Sequence, residues 1–310
     1  MDRTSPSSSP CPDARCDPSP SFSAFSDAWC DPLQVLPPDK YPQLLQHLRE
    51  QVPSSLKVIG HLNSNMKDAK HFELATYVDE WPSFSVLLCL FPDSADVHSN
   101  AITFQATDDL KLKYVLQNTR VIDWNDNLCF KGIESKFKSM LLECIPAHSE
   151  LKETGRSDVY IYNKEDCSFK SDLTDGFYLA KLKPEDMGTI EKYWRFESRG
   201  LSLIRNQLVL DTHPTAGIFK SNTNELVAWG LELYFGSIGT VHTVELYRRR
   251  GFAKIIISYL TRKIRESKGI AWCHVQDVAT KEISVNMVRS VGYKKTDMQH
   301  IWVAYTPRCK

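Results

Sequence analysis

The sequence predicts an α/β protein, in part α+β, built as two successive halves, each a mixed central sheet flanked by helices. Three observations carry this expectation. Short apolar, β-branched runs alternate with amphipathic helical stretches along most of the chain. A polar interval near 147–174 separates them into two blocks of similar size. The second block contains a β-branched run (238–244), a basic glycine-containing turn and an amphipathic stretch (253–265) in direct succession.

Composition narrows the classes. A chain of 310 residues with 42% hydrophobic residues can fill two ordinary domains. Its 38 basic residues balance 38 acidic ones. That balance argues against a dedicated nucleic-acid binder, which needs a net basic face. No apolar run approaches the ~20 residues of a membrane span. Nine cysteines without a CxxC pair read as reduced intracellular thiols, with no metal site and no disulfide framework. The Ser/Pro-rich start lacks an apolar signal core, and its acids suit a mitochondrial presequence poorly. The expectation is a soluble intracellular monomer with no membrane or nucleic-acid partner.

Taken in order, 1–29 offers little to bury beyond Phe22, Phe25 and Trp29 and reads as a disordered tail. Asp39 is expected to cap a helix carrying Leu44, Leu45 and Leu48, ended by Pro53. Strands follow at 56–62, 72–78, 85–91 and 101–106, and helices at 108–118 and 133–144. These make a first domain over 30–150, with 151–174 as linker around a short strand at 159–162. In the second domain, 175–310, a strand is expected at 177–182 and helices at 184–195 and 201–209. Three antiparallel strands follow at 215–219, 226–234 and 237–244, with a turn at 221–224. After the basic turn and its helix come a strand at 270–275, a helix at 281–290 with Gly292 as C-cap, and a closing strand near 301–305.

The turn itself is Tyr247-Arg248-Arg249-Arg250-Gly251-Phe252-Ala253-Lys254. A basic turn between a strand and a helix N-terminus suits a phosphate, because unpaired backbone N–H groups and the helix dipole aim at the anion together. Gly251 and the small Ala253 permit close backbone approach. Arg248, Arg249, Arg250 and Lys254 add charge-assisted bonds. The bland alternative is a solvated basic turn.

Arg248-x-x-Gly251-x-Ala253 is similar to the coenzyme A pyrophosphate cradle of GNAT acyltransferases. The resemblance extends further. Ser55-Leu56-Lys57-Val58-Ile59-Gly60, Tyr77-Val78-Asp79-Glu80-Trp81-Pro82-Ser83-Phe84 and Val121-Ile122-Asp123-Trp124 resemble the N-terminal domain of the glycine N-acyltransferase family. Trp229, Glu245-Leu246-Tyr247-Arg248 and His274-Val275 resemble its GNAT domain. The resemblance implies two GNAT-like halves and acyl transfer from acyl-CoA, a co-substrate rather than a permanent cofactor, to the amino group of glycine or a related small amino acid. It also leaves the compartment between cytosol and mitochondrial matrix.

Direct attack by an amine needs oxyanion donors, expected from backbone N–H groups near Val244, and a proton acceptor. The family commonly carries a glutamate base where this chain has Ser237, which takes no proton at neutral pH. His242 and Glu232 are the candidate replacements; both also have structural readings. Aligning from Gly292-Tyr293 puts Ser284 at a pantetheine-facing position and Val288 where a tyrosine acid is common. A catalytically degenerate acyl-CoA-binding module is therefore the alternative. His274 reads as a buried partner in its strand, Trp194 and Phe196 as pocket or core, Trp81 and Trp124 as packing, and Arg262, Arg265 and Lys268 as solvated charges.

Overall fold

A computed structural model describes residues 30–92, 100–165, 173–193, 209–279 and 281–307. The expected disordered tail, Trp194, Phe196 and nearly all of the expected helix at 201–209 lie outside them. Residues Asp31–Lys310 form one compact unit.

The first half runs β1 (Gln34–Val35), α1 (Tyr41–Arg49), α2 (Leu56–Lys67), β2 (Ala75–Val78), β3 (Val86–Pro92), β4 (Asn100–Ala106), α3 (Asp109–Asn118), β5 (Leu128–Glu134) and α4 (Lys138–Cys144). Next come β6 (Glu150–Tyr162), β7 (Phe177–Ala180), α5 (Met187–Lys192), β8 (Thr215–Lys220), β9 (Leu226–Glu232) and β10 (Ser237–Thr243). The chain ends with α6 (Phe252–Lys268), β11 (Trp272–Gln276), α7 (Lys281–Val291) and β12 (Tyr293–Thr306). One mixed sheet of twelve strands holds the order β1-β2-β3-β4-β5-β12-β6-β11-β10-β9-β8-β7.

Four expectations change. The run at 56–62 is helix, not strand. Leu56 and Val58 suggest alternation, but burial recurs at Leu56, Gly60 and Ser64, the helical period. Gly60 lets α2 press against the turn before β10, since a Cβ there would meet the Phe235 carbonyl. The helix expected at 133–144 starts only at Lys138, because Ile133 belongs to β5. A left-handed Gly132 (φ 63°) and a register shift break the alternation that would have marked that strand. Asp39 sits in a 3₁₀ turn and does not cap α1, whose first turn follows Lys40 without a side-chain cap. Lastly, thirteen residues in and beside the interval expected as linker are β6, in the middle of the sheet. Lys152, Glu153, Thr154 and Arg156 make its first part polar; Glu153 is held by Lys138 and Arg156.

The centre joins the halves. β12 pairs β5 through His300–Tyr305 and β6 through Tyr293–Thr306, while β6 also pairs β11. Side chains reinforce this. Ser64 of α2 bonds Nε2 of His213 at 2.9 Å, and Lys67 donates to the Thr212 carbonyl at 2.8 Å. Tyr305 donates to the Trp124 carbonyl at 2.7 Å, and Trp124 packs edge-on against its ring. Helices α6 and α7 cover one face of the second half, over Ile238, Cys273 and Val275. α5 covers Trp229 and Leu231 on the other face.

Candidate active site

β10 and β11 run parallel, but they pair only at Ser237↔Trp272 and Ile238↔Cys273. Beyond that point β10 stays with β9 and β11 with β6, so a gap opens in the sheet. A bulge causes the divergence: three steps from Gly239 to His242 span two on β9, with Thr240 at φ 53°. The gap ends at the basic turn.

That turn is built by backbone. Gly251 is left-handed (φ 79°) and forms the N-cap of α6. A Cβ there would meet nothing, so its conformation and not its space asks for glycine. Arg249 is also left-handed (φ 65°). The first intrahelical bond runs from Ile255 N–H to the Gly251 carbonyl, which leaves the N–H groups of Phe252, Ala253 and Lys254 outside the helix ladder. Phe252 is buried and packs against Phe177 with the rings tilted by 60° and centroids 5.0 Å apart, fixing the helix start from beneath. Arg248, Arg249, Arg250 and Lys254 are exposed. Arg248 donates to the Thr243 carbonyl at 3.3 Å, while Arg250 lies over the rings of Tyr247 and Phe177.

The two candidate bases point to opposite faces. His242 stacks on Trp229 with ring centroids 4.8 Å apart and meets Tyr193 at the same distance, on the α5 side. Glu232 faces α6, fully buried, and accepts a bond from Lys268. Burial pushes its carboxyl up from the ordinary range, against the pull of Lys268 and Lys67. Lys268 is thus a largely buried partner, not the solvated charge expected. The structure brings His242 to the gap and keeps Glu232 away from it.

Val244 does not offer the expected N–H, which bonds the Val227 carbonyl at 2.9 Å. Antiparallel alternation then turns the N–H of Thr243 away from β9, toward the gap. No sequence signal marked Thr243. Ser284 is half-buried on the first turn of α7, with Val288 in the core below α6. Ser237 is buried, and its hydroxyl donates to the neighbouring Ile238 carbonyl at 3.2 Å. His274 bonds His300 at 2.9 Å on the face opposite α6, so its strand position does serve a buried partner.

A mixed sheet split between a bulged strand and its parallel neighbour, with an anion-ready turn at the split, defines a GNAT-type fold. Solved structures agree at the level of fold. A Drosophila protein crystal structure superposes with TM-score 0.74 at 18% identity, over 90% of this chain and all of that one. A tandem GNAT protein from the clavulanic acid biosynthesis pathway gives 0.53 at 12% identity, over 90% and 99%. The chain belongs to the aralkyl acyl-CoA:amino acid N-acyltransferase family, the glycine N-acyltransferase family, whose model matches residues 34–220. A second model, FR47-like protein, matches 215–303. Human glycine N-acyltransferase-like protein 2 is 22% identical, over 81% of this chain and 90% of its own length. Rat glycine N-acyltransferase is 20% identical, over 73% and 83%.

Proposed function

We propose that the protein transfers an acyl group from acyl-CoA to the amino group of glycine or a related small amino acid, by direct attack of the amine on the thioester. The observation that carries this is the β10–β11 gap leading to the turn at Gly251. In this reading the half over 175–310 holds the acyl-CoA, and 30–150 completes the acceptor side. The pyrophosphate sits on the N–H groups of Phe252, Ala253 and Lys254, with Arg248, Arg249, Arg250 and Lys254 supplying charge. The pantetheine follows the gap, with Ser284 beside it. The Thr243 N–H faces the carbonyl oxygen; one such donor is worth ~2.7–4 kcal/mol of barrier. His242 takes the proton of the attacking amine, since Ser237 offers no base.

Assaying free thiol release over a matrix of acyl-CoAs and amino acids tests this reading. Amine-dependent release is expected, with His242→Ala slowing it. Retention of acyl label on the protein with burst kinetics would overturn direct attack. One observation favours a second reading: Val288 is core, so the acid common at that position is missing. Acyl-CoA binding without amine-dependent release would identify a binding module.

A further inference from the structure

The stretch Ser55-Leu56-Lys57-Val58-Ile59-Gly60 contains an ionisable group that the mechanism above leaves unused. Lys57, on α2, is 3% exposed, and its ammonium lies 4.9 Å from the ring centroids of both Phe235 and Trp302. Beside it are His274 of β11 and His300 of β12, joined Nε2 to Nδ1 at 2.9 Å. Strand pairing adds a fourth group. Ser157 of β6 stands opposite His300 on one flank and Gln276 on the other, two residues from the Val159 that faces His274. Directly paired residues share a face, so the Ser157 hydroxyl belongs with the two imidazoles. It is fully buried, and its Oγ has no hydrogen-bond partner among the described residues. A buried hydroxyl in that state is costly unless something occupies the space before it.

The charge balance says what fits. Lys131 and Cys129 act on Lys57, His300 and Lys57 on His274, and Lys57 on His300; no carboxylate is among these groups. Burial first, then a neighbouring base (Lys131 for Lys57, His300 and Lys57 for His274, Lys57 for His300), pushes Lys57 and His274 well below their ordinary values, and His300 down to about 3. Glu134 of β5 also stands opposite His300, but its carboxylate is held by Lys136 at 3.7 Å; the three bases and the hydroxyl are left without a carboxylate of their own and are complementary to one small anion. An anion entering would reverse the repulsion and draw a proton onto the cluster.

We propose that Lys57, Ser157 and the His274–His300 pair form a carboxylate subsite that seats the acceptor amino acid. This rests on the acyl-transfer reading above. His274 is the one of the four that is not fully buried, and it stands one residue past the last β10–β11 pair, at the mouth of the gap. A carboxylate held behind it leaves the α-amino group on the gap side, beside the thioester. The first half of the chain then takes part in selecting the acceptor through Lys57.

Calorimetric titration of the full chain with glycine, in buffers of different ionisation heat, counts the protons taken up on binding. Uptake near neutral pH is expected, with glycine bound about tenfold more weakly in Ser157→Ala and the uptake itself lost in Lys57→Met. In turnover, Ser157→Ala should raise the glycine KM about tenfold, the size of a lost bond to a charged group, with the loss falling on KM rather than kcat. Ser157→Ala removes one oxygen only, so it decides the matter even where Lys57→Met fails to fold. Glycine-dependent thiol release without proton uptake, and with KM unmoved in Ser157→Ala, overturns the subsite and leaves acyl transfer standing. Proton uptake on glycine binding with affinity lowered in Ser157→Ala, without thiol release to any amino acid, supports the subsite and overturns acyl transfer. Absence of both overturns both.

Discussion

At the start of α6, four cations stand in solvent around N–H groups that the helix leaves outside its ladder; under α2, Lys57, His274 and His300 are packed against aromatic rings. Both regions are basic, yet they hold charge differently. The exposed turn keeps its cations charged at little cost and can lose one without harm to the fold. The buried cluster is stable only while its bases stay neutral, so burial makes it sensitive to protons. Substitutions in the first region should fail by binding, and disturbances of buried charge should fail by unfolding.

The largest effect expected on that basis is at Glu232, whose carboxylate and Lys268 are both shielded from water. Glu232→Gln strands the lysine and should cost about 3–5 kcal/mol in urea unfolding, with thiol release per folded molecule kept. A collapse of release in a variant of normal stability would return Glu232 to the chemistry and break the division.

Acid comes next. Burial pushes His213 down to about 2 and His300 down to about 3, against an ordinary 6.5. Below 6.5 the unfolded chain binds protons that the folded one refuses. The stability these neutral rings allow is therefore intact above pH 6.5 and lost as pH falls toward those lower values, by roughly 1.4 kcal/mol per pH unit for each histidine. Urea midpoints between pH 7 and 5.5 should fall steeply, and His213→Gln should flatten the slope. A flat profile in the parent protein would mean the rings are not buried neutral.

At the turn, Gly251→Ala forces a side chain into a left-handed conformation worth ~1–2 kcal/mol. Because nothing crowds the position, the effect should appear as weaker acyl-CoA binding, on the order of tenfold by titration, and Gly251→Asn should be milder. Arg248→Ala should have the smallest effect on stability, below about 0.5 kcal/mol, since its pair with Glu245 at 3.5 Å is exposed. It should still weaken acyl-CoA binding in a salt-dependent way; equal loss of stability and binding would erase the contrast between the regions.

The same contrast governs what could be read from sequence. The turn from Arg248 to Lys254 is contiguous, and glycine conformation, basic side chains and a helix start all leave local marks. So do β8, β9 and β10, which fall where the alternating apolar runs place them. The buried cluster draws Lys57, Ser157, His274 and His300 from four elements, and no local pattern connects them. Lys57 stood in a stretch that resembled the family, which marked it without saying why; Ser157 carried no mark at all. The strand at 159–162 is the legible end of β6; β5 and the first part of β6 are hidden by a bulge at Gly132 and a polar run at 152–156, and their partners lie far along the chain. Glu232 and His242 illustrate the remaining limit. Both are candidate replacements for the base missing at Ser237, but the bulge at Thr240 and the packing of Gly230 against Ile256 decide which face each side chain takes.

The placement of β12 has a consequence for how the molecule is made. β5 emerges from the ribosome well over a hundred residues before His300–Tyr305, the stretch that fills one of its edges. Until then the nascent first half carries an open strand edge lined by Leu128 and Phe130, which invites pairing with other chains. Closing the sheet from both sides with the last strand makes folding of the two halves one late event. Loss of the final dozen residues should therefore leave insoluble protein, not a working fragment.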